Sequence, residues 1–193
     1  MQLKDARSRR PRFHYGGNEK DDAYGHYTVA MVTFLNCPPN PTSAETFERC
    51  CEEYEELFFA SAFCWWPRGT LRNSFFGTLD SITAVFGPLQ CEDARVGFRK
   101  LKDTMEAEGR QVHVHEFQQP EFHPKLYIFC RSDKSKALII GSSNFTNRAF
   151  NQNEELDVLL EGKLEGSQFD SLRQRFKDWM RDSRCLTGQC PSK

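Results

Sequence analysis

Apolar positions recur along this chain with two periods, and the switches between them mark alternating strands and helices. Tyr27–Leu35 is rich in β-branched and apolar residues and reads as a strand, broken off by the prolines within Cys37–Thr42. Ser43 is placed to cap a helical segment that runs to about Glu55. Leu57–Cys64 is apolar almost throughout, which fits either an extension of that helix or a strand buried on both faces. A helical stretch is expected from Pro67 to about Asp80, and Ile82–Phe86 reads as a further strand. From Cys91 to Glu108, Ala94, Phe98, Leu101 and Met105 recur at helical spacing until Gly109 stops the pattern. Gln111–Phe117 and Phe122–Phe129 alternate as strands do. The polar turn Arg131–Lys136 then leads into a second β-rich run beginning at Ala137. Phe145–Phe150 predicts a short helix, with Asn144 a candidate cap, and Glu155–Leu160 a strand. The final helix, Ser167 to about Arg181, carries Phe169, Leu172, Phe176, Trp179 and Met180 on one face. Such alternation predicts an α/β layered domain.

The chemistry gathers on the hairpin that follows Phe122. Side chains two residues apart on a strand share a face, which puts His123 beside Lys125. The return strand ends in Gly141-Ser142-Ser143-Asn144, and Glu155 opens the next one. Together these supply an imidazole to attack phosphorus, cationic and amide donors for its oxygens, and a carboxylate to orient the imidazole. Taken singly each is weak: a His-x-Lys is common, and Gly-Ser-Ser-Asn makes a good turn. Their order on consecutive strands favours chemistry over packing.

That order resembles the phospholipase D-like superfamily, whose motif runs H-x-K-x4-D-x6-G-S-x-N. His123, Lys125, Gly141, Ser142 and Asn144 match it residue by residue, and Glu155 matches the later glutamate of the nuclease-type branch. There are two departures. Cys130 stands where the motif has aspartate, and the interval from there to Gly141 is longer than the motif's. Nuclease-like members tolerate loss of the aspartate where the distal glutamate is kept, so the resemblance implies a nuclease rather than a lipase. It also implies a mixed sheet flanked by helices, with Leu57–Cys64 as a strand. The roles it implies are His123 as nucleophile forming a phosphohistidine, and Lys125, Asn144 and Ser142 as phosphate-binding groups. Glu155 would accept a hydrogen bond from the imidazole. A second histidine must protonate the leaving oxygen, and short members with one motif assemble two across a two-fold axis. A homodimer with a nucleic-acid substrate is therefore expected. The alternatives are a phospholipid phosphodiesterase and a catalytically retired nucleic-acid-binding module.

Composition narrows this picture without redirecting it. At 193 residues, 38% hydrophobic with 17 phenylalanines, the chain suits one packed domain, taken as residues 26–183 between a polar, basic lead-in (1–25) and a tail (184–193). Mean hydropathy is −0.66, and the longest apolar run, Leu57–Trp66, is too short to span a bilayer, so membrane insertion is not expected. The basic N-terminus has no apolar stretch behind it, which argues against a secretory signal. The eight cysteines include no Cys-x-x-Cys; most read as small core residues, and reduced thiols in a cytoplasmic setting are expected. His113 and His115 share a strand face but lack an evident third ligand, so they read as partly exposed strand residues, and neither metal nor cofactor is expected. The net charge of −1 hides two basic groups, Arg7, Arg9, Arg10 and Arg12, and Arg173, Arg175, Lys177, Arg181 and Arg184, which suit a nucleic-acid backbone.

Overall fold

The computed structural model describes residues 31–65, 73–88, 92–132, 136–162 and 167–186. The basic lead-in, with Arg7 to Arg12, and the start of the strand expected from Tyr27 lie outside them. In chain order the elements are β1 (Met31–Leu35), α1 (Ser43–Glu53), β2 (Glu56–Ser61), β3 (Cys64–Trp65), a 3₁₀ turn (Asn73–Phe76), β4 (Ser81–Phe86), α2 (Glu92–Ala107) and β5 (Gln111–Phe117). They continue with β6 (Lys125–Cys130), β7 (Lys136–Gly141), β8 (Phe145–Thr146), α3 (Asn147–Asn151), β9 (Asp157–Gly162), α4 (Ser167–Arg181) and β10 (Ser183–Cys185).

Among the described residues one mixed sheet runs in the order β1-β9-β7-β6-β2-β4-β5-β10, and β3 pairs with β8 in a small ribbon. β2, β4 and β5 are parallel neighbours. Parallel pairing needs a long return connection, which α2 supplies between β4 and β5. β6 pairs antiparallel with β7, as expected of the hairpin. On one face the sheet packs against Phe47 of α1, Phe98, Leu101 and Met105 of α2, and Phe150 of α3. On the other, Phe169 and Phe176 of α4 close over Leu126, Ile128, Ala60 and Val85. This is the α/β layered domain that the apolar periodicity predicts.

The ambiguous run resolves as β2, because it is central and needed on both sides. Leu57 and Phe59 enter the helix-covered core, while Ala60 and Phe58 meet the α4 side.

Several local expectations shift. The cap of α1 is Thr42, not Ser43: Thr42 and Glu45 form a reciprocal capping box, and Ser43 turns inward to serve the site described below. Of the helix expected over Pro67–Asp80, residues 73–80 are described, and they hold the 3₁₀ turn Asn73–Phe76 rather than an α-helix. Thr146, not Asn144, caps α3, accepting from the Ala149 amide at 3.1 Å. His115 is buried rather than partly exposed, with Nδ1 2.9 Å from Ser183 Oγ. Its pKa falls from the ordinary 6.5 to about 4, because burial and then the neighbouring His113 disfavour the charged ring. Cys37, Cys50, Cys51 and Cys130 are free, but Cys185 is disulfide-bonded, so uniformly reduced thiols do not hold. Part of the second basic group is spent internally: Arg184 pairs with buried Glu116, Arg181 with Asp178 and Asp182, and Arg173 lies over the Phe58 ring. No helix among the described residues is long and apolar enough to cross a membrane.

Candidate active site

Register brings the motif residues to one end of the sheet. β2 ends at Ser61, opposite Lys125 at the start of β6, and β7 ends at Gly141, opposite Asp157 at the start of β9. The residues just before Lys125 and just after Gly141 therefore share a rim.

His123 is exposed, ahead of the strand rather than in it, and its Nδ1 lies 2.9 Å from Lys125 Nζ. Partial burial lowers the Lys125 pKa from its ordinary value, against the opposing pull of the Glu155 carboxylate. An ammonium can only donate, so against it Nδ1 accepts, and a neutral imidazole then carries its proton on Nε2. The carboxamide of Asn144 is oriented by its oxygen, which accepts from the Phe63 amide at 3.3 Å and lies 3.5 Å from Ser61 Oγ. Among the described residues its Nδ2 donates to no protein group.

Ser142 Oγ donates to Glu155 Oε2 at 2.5 Å and accepts from the Leu156 amide at 2.9 Å. The other oxygen of Glu155 accepts from Asn153 Nδ2 at 3.0 Å. Among the described residues Glu155 makes no hydrogen bond to His123, so the contact that the resemblance implies is not formed within one chain. Beside Glu155 opens a cleft of about 490 Å³ lined by Asn36, Pro38, Asn40, Thr42, Asn153 and Glu154.

Sequence reasoning missed the group that holds this rim together. Asp157 is buried and accepts from the amide and hydroxyl of Ser143 and from the hydroxyl of Ser43. Asn36 joins the network, exchanging hydrogen bonds with Ser43 and donating to the Glu155 carbonyl. A Cβ at Gly141 would lie 2.0 Å from Asp157 Oδ1 and 2.4 Å from the Leu156 carbonyl, which is the steric reason for glycine there. Below the loop, Tyr127 Oη donates to the Ser143 carbonyl at 2.9 Å, and the Phe145 amide donates to Ser61 Oγ at 2.8 Å. The available signal for Asp157 was a carboxylate inside the otherwise apolar run Leu156–Leu160. Cys130 sits at the far end of β6 from Lys125, buried against α4, and its thiol pKa is raised by that burial. Among the described residues no three His, Cys, Asp or Glu side chains gather as metal ligands.

A family model described as "Cardiolipin synthase, PLD-like domain" matches residues 90–180, which contain all of the motif residues and Asp157. The fold agrees with it. Nuc from Salmonella typhimurium, described as a phospholipase D family member, superposes with TM-score 0.60 at 14% identity, covering 80% of this chain and 97% of its own. Residues 90–180 of this chain match a phospholipase D-like domain, and its fold is of that kind.

NucT from Helicobacter pylori is similar in the same way: TM-score 0.53, 12% identity, 79% of this chain and 97% of that one. Phosphatidylserine synthase of Haemophilus influenzae Rd KW20 matches with TM-score 0.56 and 14% identity over 81% of this chain, but only 39% of its own length. No curated protein sequence matches the chain. Phospholipase D-like proteins are phosphodiester hydrolases or transferases. Among the described residues, the rim that joins His123, Lys125, Ser142, Asn144 and Glu155 offers groups suited to that chemistry.

Proposed function

We propose that this chain is a metal-independent nuclease that works through a phosphohistidine, at a site completed by a second copy of itself. The observation that carries the reading is the 2.9 Å approach of His123 to Lys125 on the rim that also holds Asn144, Ser142 and Glu155. Nuc and NucT, both similar in fold over nearly their whole length, favour nucleic acid as substrate.

His123 Nε2 attacks phosphorus, a P–N bond forms, and the P–O bond to the leaving oxygen breaks. That oxygen takes a proton from the His123 of the second copy. The second imidazole, now neutral, removes a proton from water as the water oxygen attacks phosphorus and releases His123. Lys125 and Asn144 Nδ2 hold the nonbridging oxygens, with Ser142 a lesser donor. The two imidazoles start in different protonation states: the acid is an imidazolium with a proton on both nitrogens, and the nucleophile is neutral. The contact of Nδ1 with the Lys125 ammonium holds only for a neutral ring protonated on Nε2, so each ring leaves it to take up its role. The nucleophile needs its proton on Nδ1 and a carboxylate to hold it. Glu155 is the carboxylate we assign, reaching the ring across the subunit boundary or after leaving Ser142.

Cleavage of labelled DNA, RNA and phospholipid vesicles, each with excess chelator, tests the reading. We expect nucleic-acid cleavage to persist, and activity restored only by magnesium would overturn the mechanism. Phospholipid is the second reading, favoured by the likeness to a phosphatidylserine synthase. Co-expression with His123→Ala tests the shared site. With random pairing at equal expression about a quarter of dimers are fully wild type, so activity per wild-type chain should fall. If it stays constant, each chain works alone.

A further inference from the structure

The segment that runs from the end of β2 through β3 presents two large aromatic side chains that the catalytic reading does not use. Phe63 and Trp65 are each 47% exposed, although burial of such rings is normally favourable. In an extended segment side chains two apart share a side, so Phe63 and Trp65 project together while Cys64, between them, packs against the core. The ribbon fixes this segment to the site: Cys64 pairs with Phe145 and Trp65 with Thr146, directly after Asn144. The Phe63 amide holds the Asn144 oxygen, and the Phe63 ring stands edge-on to the His123 imidazole, with centroids 5.9 Å apart at 85°.

We propose that Phe63 and Trp65 form a stacking platform for unpaired bases flanking the scissile phosphate, so that the substrate is single-stranded nucleic acid. This rests on the phosphodiesterase reading above. A phosphorus within reach of His123 brings its neighbouring nucleosides alongside Phe63. Their bases offer flat faces to a ring only when they are not stacked in a duplex. A lipid headgroup has no such face. The Phe63 ring also stands beside polar groups, the His123 imidazole and the Asn144 carboxamide held by its own amide, which suits alternating bases and phosphates better than a bilayer.

The test compares three labelled oligonucleotides of equal length: a single strand, its duplex, and an abasic single strand that keeps every phosphate. For the wild type, KM for the base-bearing strand should be roughly tenfold or more below that for the abasic strand and the duplex, the gain expected of one or two stacked bases. Phe63→Ala and Trp65→Ala should each bring the abasic-to-base-bearing ratio toward one, while Phe63→Tyr and Trp65→Phe should keep it. A ratio taken within one protein is insensitive to partial loss of folding. The same ratio measured as affinity by fluorescence anisotropy on His123→Ala needs no turnover. Cleavage without base preference therefore overturns the platform and leaves the nuclease standing, whereas base-dependent binding without cleavage does the reverse. An unchanged ratio in both alanine variants overturns the proposal. So does their conversion of a dimer to monomers in sedimentation, which would assign the rings to a subunit interface. Hydrolysis of phosphatidylglycerol vesicles with no oligonucleotide binding would assign them to lipid.

Discussion

Asp157 offers the sharpest test of how the rim is built. Its carboxylate is buried and accepts from three donors on two separate segments, Ser43 in α1 and Ser143 in the loop after β7. Asp157→Ala removes all three interactions at once and strands buried donors, since Ser43 is 3% and Ser143 1% exposed. A hydrogen bond to a charged group contributes about 1.5–3 kcal/mol and a stranded donor costs about 1–3 kcal/mol. These overlap rather than add, and loss of the charge's own desolvation cost offsets part, so we expect about 3–5 kcal/mol of destabilisation. For a chain of this size that lowers Tm by roughly 6–20 °C. Asp157→Asn keeps the shape and one acceptor oxygen, and should cost about half as much. Ser43→Ala removes a single donor and should cost about 1–2 kcal/mol. Thermal unfolding by circular dichroism reads the series, and turnover measured well below each Tm reads the loop, because Ser142 and Asn144 flank Ser143. The reasoning fails if Asp157→Ala unfolds within a degree of wild type, or if Ser43→Ala costs more than Asp157→Ala.

Three further expectations follow from the same geometry. Gly141→Ala places a methyl 2.0 Å from Asp157 Oδ1, so both Tm and kcat should fall, and an unchanged Tm would contradict the close approach of β7 and β9. Lys125→Ala and Asn144→Ala should each lower kcat by about a hundredfold with little change in Tm, as removal of a group that holds transition-state charge does. Near-wild-type turnover in both would mean the phosphate is held elsewhere. His115 titrates near 4 in the fold against 6.5 when exposed, so the unfolded chain binds its proton more tightly. Stability from this group is complete above about pH 6.5 and is lost as pH falls toward 4; His115→Gln should flatten that part of the Tm profile, and an unaltered slope would exclude His115 as its source.

Much of this protein is local and so can be read along the chain. The strands of the hairpin, the helix Ser167–Arg181 and the alternation of layers follow from apolar periodicity, because each element's buried face is written at its own period. His123, Lys125, Ser142, Asn144 and Glu155 also stand out from the sequence, since the hairpin that joins most of them is nearly continuous and their order matches a family motif. What periodicity cannot express is which elements become neighbours. Ser43 looks like a helix cap, and Ser61 and Asn36 carry no signal, until the ends of β2, β6, β7 and β9 come together and α1 is laid across them, when all three become donors and acceptors of the rim. Asp157 looks like a charge out of place in an apolar strand. Only its pairing opposite Gly141, with Ser43 arriving from far away in sequence, turns it into a satisfied buried acceptor. The same holds for Phe63, whose place beside His123 depends on β2 lying antiparallel to β6. Hydrogen-bond partners and ring contacts of that kind depend on distances through space, which tertiary packing alone sets.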